Sequence, residues 1–111
     1  MDEVTEPKCG CMAAALRILG DRWSGLIIRE LTIGPRRFGA LQNALPGISP
    51  RTLSQRLDSL ESESIVTRKT YAESPPRVEY SLTSKGEDLI PILRSMIEWG
   101  DRYSAVDEQH P

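Results

Sequence analysis

Apolar residues recur along this chain first at helical spacing, then at strand spacing, then at helical spacing again. Met12 to Leu19 reads as a first helix, with Gly20 at the position just past its end. Asp21 is placed to cap a second helix, which carries Trp23, Leu26, Ile27 and Leu31 at the spacing of a buried stripe. Gly34-Pro35 stops it. Phe38 to Ala44 predicts a short third helix with Phe38, Leu41 and Leu45 facing inward, and Pro46-Gly47 predicts a turn. Ser49 then suits an N-cap, and Pro50 suits the first helical position, where no amide hydrogen is needed. The fourth helix runs to about Glu63. Leu53, Leu57 and Leu60 share one arc of it, Arg51, Gln55, Asp58 and Ser62 the opposite arc, and Thr52, Ser54 and Ser59 the flanks.

The period then changes. Val66 to Tyr71 and Arg77 to Leu82 read as strands, the second alternating Val78, Tyr80 and Leu82 with Arg77, Glu79 and Ser81. Ala72-Glu73-Ser74-Pro75-Pro76 is too long and too rich in proline for a two-residue hairpin turn, and predicts a stiff projecting tip. Thr83 is placed to cap a last helix reaching about Tyr103 and bent at Pro91. Its apolar residues, among them Leu89, Ile92, Leu93, Met96, Ile97, Trp99 and Tyr103, cover about half the helical wheel. One core contact needs less, so the pattern predicts a second buried surface, supplied by another subunit. The fold class expected is mainly α (α+β): a winged helix-turn-helix with a two-stranded wing. The expected domain bounds are a mobile tail over residues 1–10, one folded domain over 11–103 and a C-terminal tail over 104–111.

Charge alters this picture through its distribution. The chain of 111 residues carries a formal net charge of −2, unpromising for a partner of nucleic acid. From Gly34 to Leu57, however, stand Arg36, Arg37, Arg51 and Arg56 with no acidic residue among them. A local basic face, rather than the total, governs attraction to phosphates. No apolar run approaches the ~20 residues of a membrane span, and the acidic start Met1-Asp2-Glu3-Val4 does not resemble a signal peptide. The expected location is therefore the cytoplasm, at the bacterial nucleoid, with no membrane partner.

The candidate chemistry is recognition rather than catalysis. A short helix, a Pro-Gly turn and a helix with a polar, basic outer face form a helix-turn-helix, and the hairpin makes it winged. Arg51 can grip guanine and Gln55 adenine, each through two hydrogen bonds, with Ser49 and Thr52 also within reach of base edges. Ser54, Arg36, Arg37, Arg56 and, beside the hairpin tip, Arg77 are the candidate phosphate or wing contacts. An enzyme is not expected: there is no nucleophile-histidine pairing and no glycine loop to cradle phosphate, and the single histidine, His110, lies in the tail. Cys9 and Cys11 form neither a zinc site nor a redox C-x-x-C, so no metal and no cofactor are expected. A winged helix serving only protein interaction is the competing reading. No residue identifies a small-molecule effector.

Several stretches in order resemble one known family: Leu19-Gly20-Asp21-Arg22-Trp23, Leu26-Ile27-Ile28-Arg29-Glu30-Leu31, Gly34-Pro35-Arg36-Arg37-Phe38, Leu45-Pro46-Gly47-Ile48-Ser49 and Pro75-Pro76-Arg77-Val78-Glu79-Tyr80. On these motifs the chain is similar to the HxlR-type winged helix-turn-helix regulators, which are MarR-like. The resemblance implies a transcriptional regulator, a homodimer built from terminal helices, and binding of double-stranded DNA at a pseudo-palindromic operator. Many members carry a Cys, often followed by Pro, shortly before the first helix, and some use it to sense oxidants or electrophiles. Counted back from Trp23 that slot falls at Gly10, so Cys9 and Cys11 flank it and no Cys-Pro pair is present. The resemblance makes Cys9 and Cys11 the candidate redox residues, with a thiol-sensing regulator as the alternative function.

Overall fold

The computed structural model describes residues 2–108, with side chains described from residue 11 to residue 104. Helices α1 (Asp2–Leu19), α2 (Ser24–Leu31), α3 (Phe38–Ala44) and α4 (Pro50–Ser62) lead into strands β1 (Val66–Tyr71) and β2 (Arg77–Leu82). A single-turn α5 (Ser84–Glu87) and the long α6 (Ile90–Glu108) complete the chain. This is the winged helix-turn-helix expected, with α3 and both strands on the predicted bounds.

Three helices depart from expectation. Helix α1 begins at Asp2, well before Met12; the sequence from Asp2 to Gly10 holds too few apolar residues for periodicity to mark a helix there. Helix α2 begins at Ser24, not directly after Asp21: residues 20–23 form a bend and turn. Asp21 still caps it from a distance, its Oδ1 accepting from the amides of Trp23 and Ser24, both at 2.8 Å. The predicted last helix is two. The Thr83 hydroxyl caps α5 by accepting from the Gly86 amide at 3.0 Å, as foreseen, but the helix breaks at Asp88-Leu89. Pro91 lacks the amide hydrogen that a continuous helix would bond to Glu87, so α6 starts afresh with Pro91 in its first turn.

The core lies between α2, α3 and α4 and the base of the wing. Ile27, Ile28 and Leu31 of α2 meet Leu41 of α3 and Leu53, Leu57 and Leu60 of α4. Val66 and Tyr80 close it from the sheet, Ile65 from the turn before β1, and Leu93 from α6. Gly47, at φ +92°, takes the left-handed turn between α3 and α4 that other residues adopt at a cost. Helix α4 ends with the Ile65 amide donating to the Leu60 carbonyl at 2.9 Å and Ser64 to Glu61 at 3.0 Å, with Ser64 at φ +62°. That reversal aims the chain directly into β1.

The strands pair antiparallel, from Val66 opposite Leu82 to Tyr71 opposite Arg77. Alternation therefore puts Val66, Arg68, Thr70, Val78, Tyr80 and Leu82 on one face, which the buried Val66 and Tyr80 identify as the core face. Thr67, Lys69, Tyr71, Arg77, Glu79 and Ser81 share the outer face. Arg36 adds a short third rung through its backbone, its amide donating to Tyr80 at 3.0 Å and its carbonyl accepting from Tyr80 at 2.8 Å.

Candidate nucleic-acid interface

Helix α4 presents the predicted face. With Leu53 and Leu57 fully buried on one side, Arg51, Ser54, Gln55 and Asp58 stand exposed on the other. Ser49 caps the helix: its Oγ accepts from the Thr52 amide at 3.0 Å and lies 3.0 Å from the Thr52 hydroxyl. The start of α4 is thus fixed by its own side chains, with Arg51 held at the second helical position. Arg37, exposed, precedes α3, and Arg36 is tied to β2 by its backbone.

Arg56 lies apart from this group. Its guanidinium donates to Asp21 Oδ2 at 3.2 Å, toward the α1–α2 junction. Asp21 is a junction in its own right, because the hydroxyl of the buried Ser24 also donates to Oδ2, at 2.6 Å. Partial burial pushes the Asp21 carboxyl up, but the Ser24 and Trp23 hydrogen bonds and the Arg56 charge together hold it below the usual carboxylate range. About two helical turns beyond Arg56, Glu63, just past the end of α4, receives Arg17 of α1 through two hydrogen bonds, of 3.0 and 3.3 Å. The Arg17 hydrogen bond holds the Glu63 carboxyl below its ordinary value. Two ion pairs thereby fasten α4 to the end of α1.

Asp21→Ala should therefore destabilise the fold by about 1–3 kcal/mol, losing a helix cap and orphaning the buried Ser24 hydroxyl. A carboxylate with a lowered folded pKa stabilises above its unfolded value of about 3.9 and loses that contribution as pH falls through the folded value. The gap between the natural protein and Asp21→Ala in urea unfolding should be full at pH 7 and shrink below about pH 4. An equal gap at both pH values would contradict this.

In the wing, Arg77 is occupied. It lies 2.9 Å from Glu73 and 3.2 Å from Glu79, and its guanidinium stacks 4.0 Å from the Tyr71 ring centre. Two exposed cations of β1 were not singled out from the sequence: Lys69, on the outer face with Arg77, and Arg68, on the other face, 3.9 Å from Glu61. The register of β1 was the available signal for Lys69, which shares the outward face with Thr67 and Tyr71. Cys11 is exposed in α1, whereas the side chain of Cys9 lies outside the described residues. Among the described residues no helix is long and apolar enough to cross a membrane.

A capped, outward-facing α4 after the Pro-Gly turn, followed by a two-stranded wing, is the architecture of a DNA-reading domain. The profile of the HxlR-like helix-turn-helix family matches residues 18–108. The chain belongs to that family. This HxlR-like protein is 49% identical over 83 residues to an uncharacterised HTH-type transcriptional regulator of Synechocystis. That match covers 75% of the chain but 62% of the relative, so the chain spans less than two thirds of that relative's length. It is 41% identical over 95 residues to the HTH-type transcriptional regulator YodB of Bacillus subtilis, covering 86% of the chain and 85% of YodB. Among solved structures, the reduced form of the redox regulator HypR superposes with a TM-score of 0.82 at 37% identity, covering 88% of the chain and 97% of HypR. The HxlR-like protein is thus one of the HTH-type transcriptional regulators, with a MarR-like winged helix.

The HxlR-like protein also carries an unpartnered apolar face. On α6, Ile92, Met96, Ile97, Trp99 and Tyr103 are 41–64% exposed, and on α1 Met12 and Leu16 are 65% and 57% exposed. Trp99 and Tyr103 pack on each other with ring centres 5.1 Å apart.

Proposed function

We propose that the HxlR-like protein is a non-enzymatic, sequence-specific DNA-binding regulator that acts as a homodimer on an inverted-repeat operator. The observation that carries this reading is the face of α4, where Arg51, Ser54 and Gln55 project from a helix anchored by Leu53, Leu57 and Leu60. In this reading Arg51, Gln55, Ser49 and Thr52 read bases, and Arg36, Arg37, Ser54, Arg56 and Arg77 meet phosphate. Ser49 and Thr52 reach bases only with the hydrogen-bonding capacity their mutual cap leaves free, and Arg56 only by leaving Asp21. The apolar surfaces of α1 and α6 are the subunit contact. We take residues 11–103 as the working domain, and action on the chromosome entails a cytoplasmic location. Binding to random duplex should weaken steeply with salt, log Kd changing by about 0.9 per phosphate engaged per decade. Binding that ignores salt, or no binding at all, would favour an interaction module without DNA.

A second reading, thiol sensing, is favoured by the exposure of Cys11 and by the likeness to a redox regulator known in oxidised and reduced forms. Neither thiol occupies the family's Cys-Pro slot, and thiols one residue apart are poorly placed to bridge each other, so a disulfide would join subunits. Diamide should therefore leave the gel shift of the natural protein and of Cys9→Ser/Cys11→Ser nearly unchanged. Loss of binding in the oxidised natural protein alone would make it a thiol sensor.

A further inference from the structure

The outer face of the wing is electrically balanced. Its register places Lys69 opposite Glu79 and Tyr71 opposite Arg77. Glu73, in the tip, then turns back onto Arg77 at 2.9 Å, while Glu79 holds the same guanidinium at 3.2 Å. Two carboxylates thus face one arginine, whose remaining flat face lies on Tyr71 at 4.0 Å and whose Nε is buried without a hydrogen-bond partner. Arg77 is 27% exposed, so little of it is offered to an incoming anion. Glu73 is the more exposed of the two acids, at 48% against 18% for Glu79.

We propose that Glu73 sets the affinity of this protein for DNA by competing with phosphate for Arg77. Wing contact is then an exchange: the guanidinium leaves a carboxylate in the tip and takes a phosphate in its place, and Tyr71 and Glu79 keep it oriented during the exchange. The exchange lowers the net gain from the wing, because every phosphate contact by Arg77 first costs an ion pair. It also discriminates, since a duplex whose backbone does not come close to the tip leaves Arg77 with Glu73. Exposed ion pairs are weak, so the restraint amounts to about a two- to fivefold change in Kd. The inference rests on the DNA-binding reading above.

The test is a double-mutant cycle on duplex binding with the full-length protein, using Glu73→Gln, Arg77→Gln and both together. Simple removal of a negative charge would tighten binding whether or not Arg77 is present. Competition predicts more: Arg77→Gln should weaken binding about two- to fivefold more when position 73 is Gln than when it is Glu. Arg77 should likewise add about 0.9 to the salt slope in the Glu73→Gln protein and less in the natural one. Equal costs of Arg77→Gln in the two backgrounds, or no tightening by Glu73→Gln, would overturn the proposal while leaving DNA binding intact. Failure of the natural protein to bind any duplex would instead overturn the functional reading, and this inference with it.

Discussion

Trp99→Asp, combined with Met96→Asp, is expected to turn the proposed dimer into a monomer and to weaken operator binding by at least about a hundredfold. The two side chains are 64% and 51% exposed on α6, next to Tyr103 at 51%. Aromatic side chains bury about 150–250 Å² each, at about 25 cal/mol per Å², and a two-fold interface counts every residue twice. Two carboxylates per subunit placed in such a contact would stay unpaired and resist desolvation. Because both positions are exposed in the isolated chain, the fold itself should survive, which circular dichroism would show. DNA affinity falls for a separate reason. Joining two half-site readers raises avidity by about 10²–10⁴, and a monomer forfeits that gain. Sedimentation at micromolar concentration measures the first effect and operator titration the second. A variant that remains dimeric, or a natural protein that sediments as a monomer with and without DNA, would remove α6 from the interface.

Arg51→Ala should weaken operator binding by about 1–3 kcal/mol and relax the base preference at one position in each half-site. Arg51 is exposed at the second position of α4, and among the described residues it forms no ion pair. Its removal should leave stability within about 0.5 kcal/mol, as is usual for a surface change. Arg56→Ala should behave in the opposite way. It breaks the 3.2 Å bond to Asp21, so it should lower stability more and base preference less. Titration of each variant on operator and on random duplex separates the cases. If Arg51→Ala weakened both duplexes equally, Arg51 would be a phosphate contact.

Local signals in the sequence carried the fold a long way. Ser49-Pro50 ahead of Leu53, Leu57 and Leu60 defines α4 because cap, first-turn proline and stripe all agree. Strand β2 stands out because Val78, Tyr80 and Leu82 alternate with Arg77, Glu79 and Ser81, whereas β1 is exposed from Thr67 to Thr70 and shows no such alternation. The start of α2 was not legible, since Asp21 caps from beyond the residue that normally does so, through a turn that sequence rules do not describe. The break between α5 and α6 depends on more than Pro91. A Cβ on Gly86 would collide with the Ile65 carbonyl, so α5 is pressed against the residue that leads into β1. In the candidate site, the exposed residues of α4 were readable from periodicity, but the partners of the arginines were not. Asp21 is far from Arg56 in sequence, and Glu73 meets Arg77 only because the tip folds back. The same arginines therefore look equivalent in the sequence and differ in the fold: Arg51 stands exposed on the surface, Arg56 is bonded to Asp21, and Arg77 is held by Glu73 and Glu79.

The most direct test of the account is selection of bound sequences from a pool of random duplexes, carried out with the natural protein and with Arg51→Ala. The expected result is enrichment of an inverted repeat whose half-sites are centred about one helical turn apart, roughly 10 base pairs. Arg51→Ala should lose preference at the same single position in both halves. Enrichment of no motif, or of a lone half-site unaffected by Arg51→Ala, would contradict it.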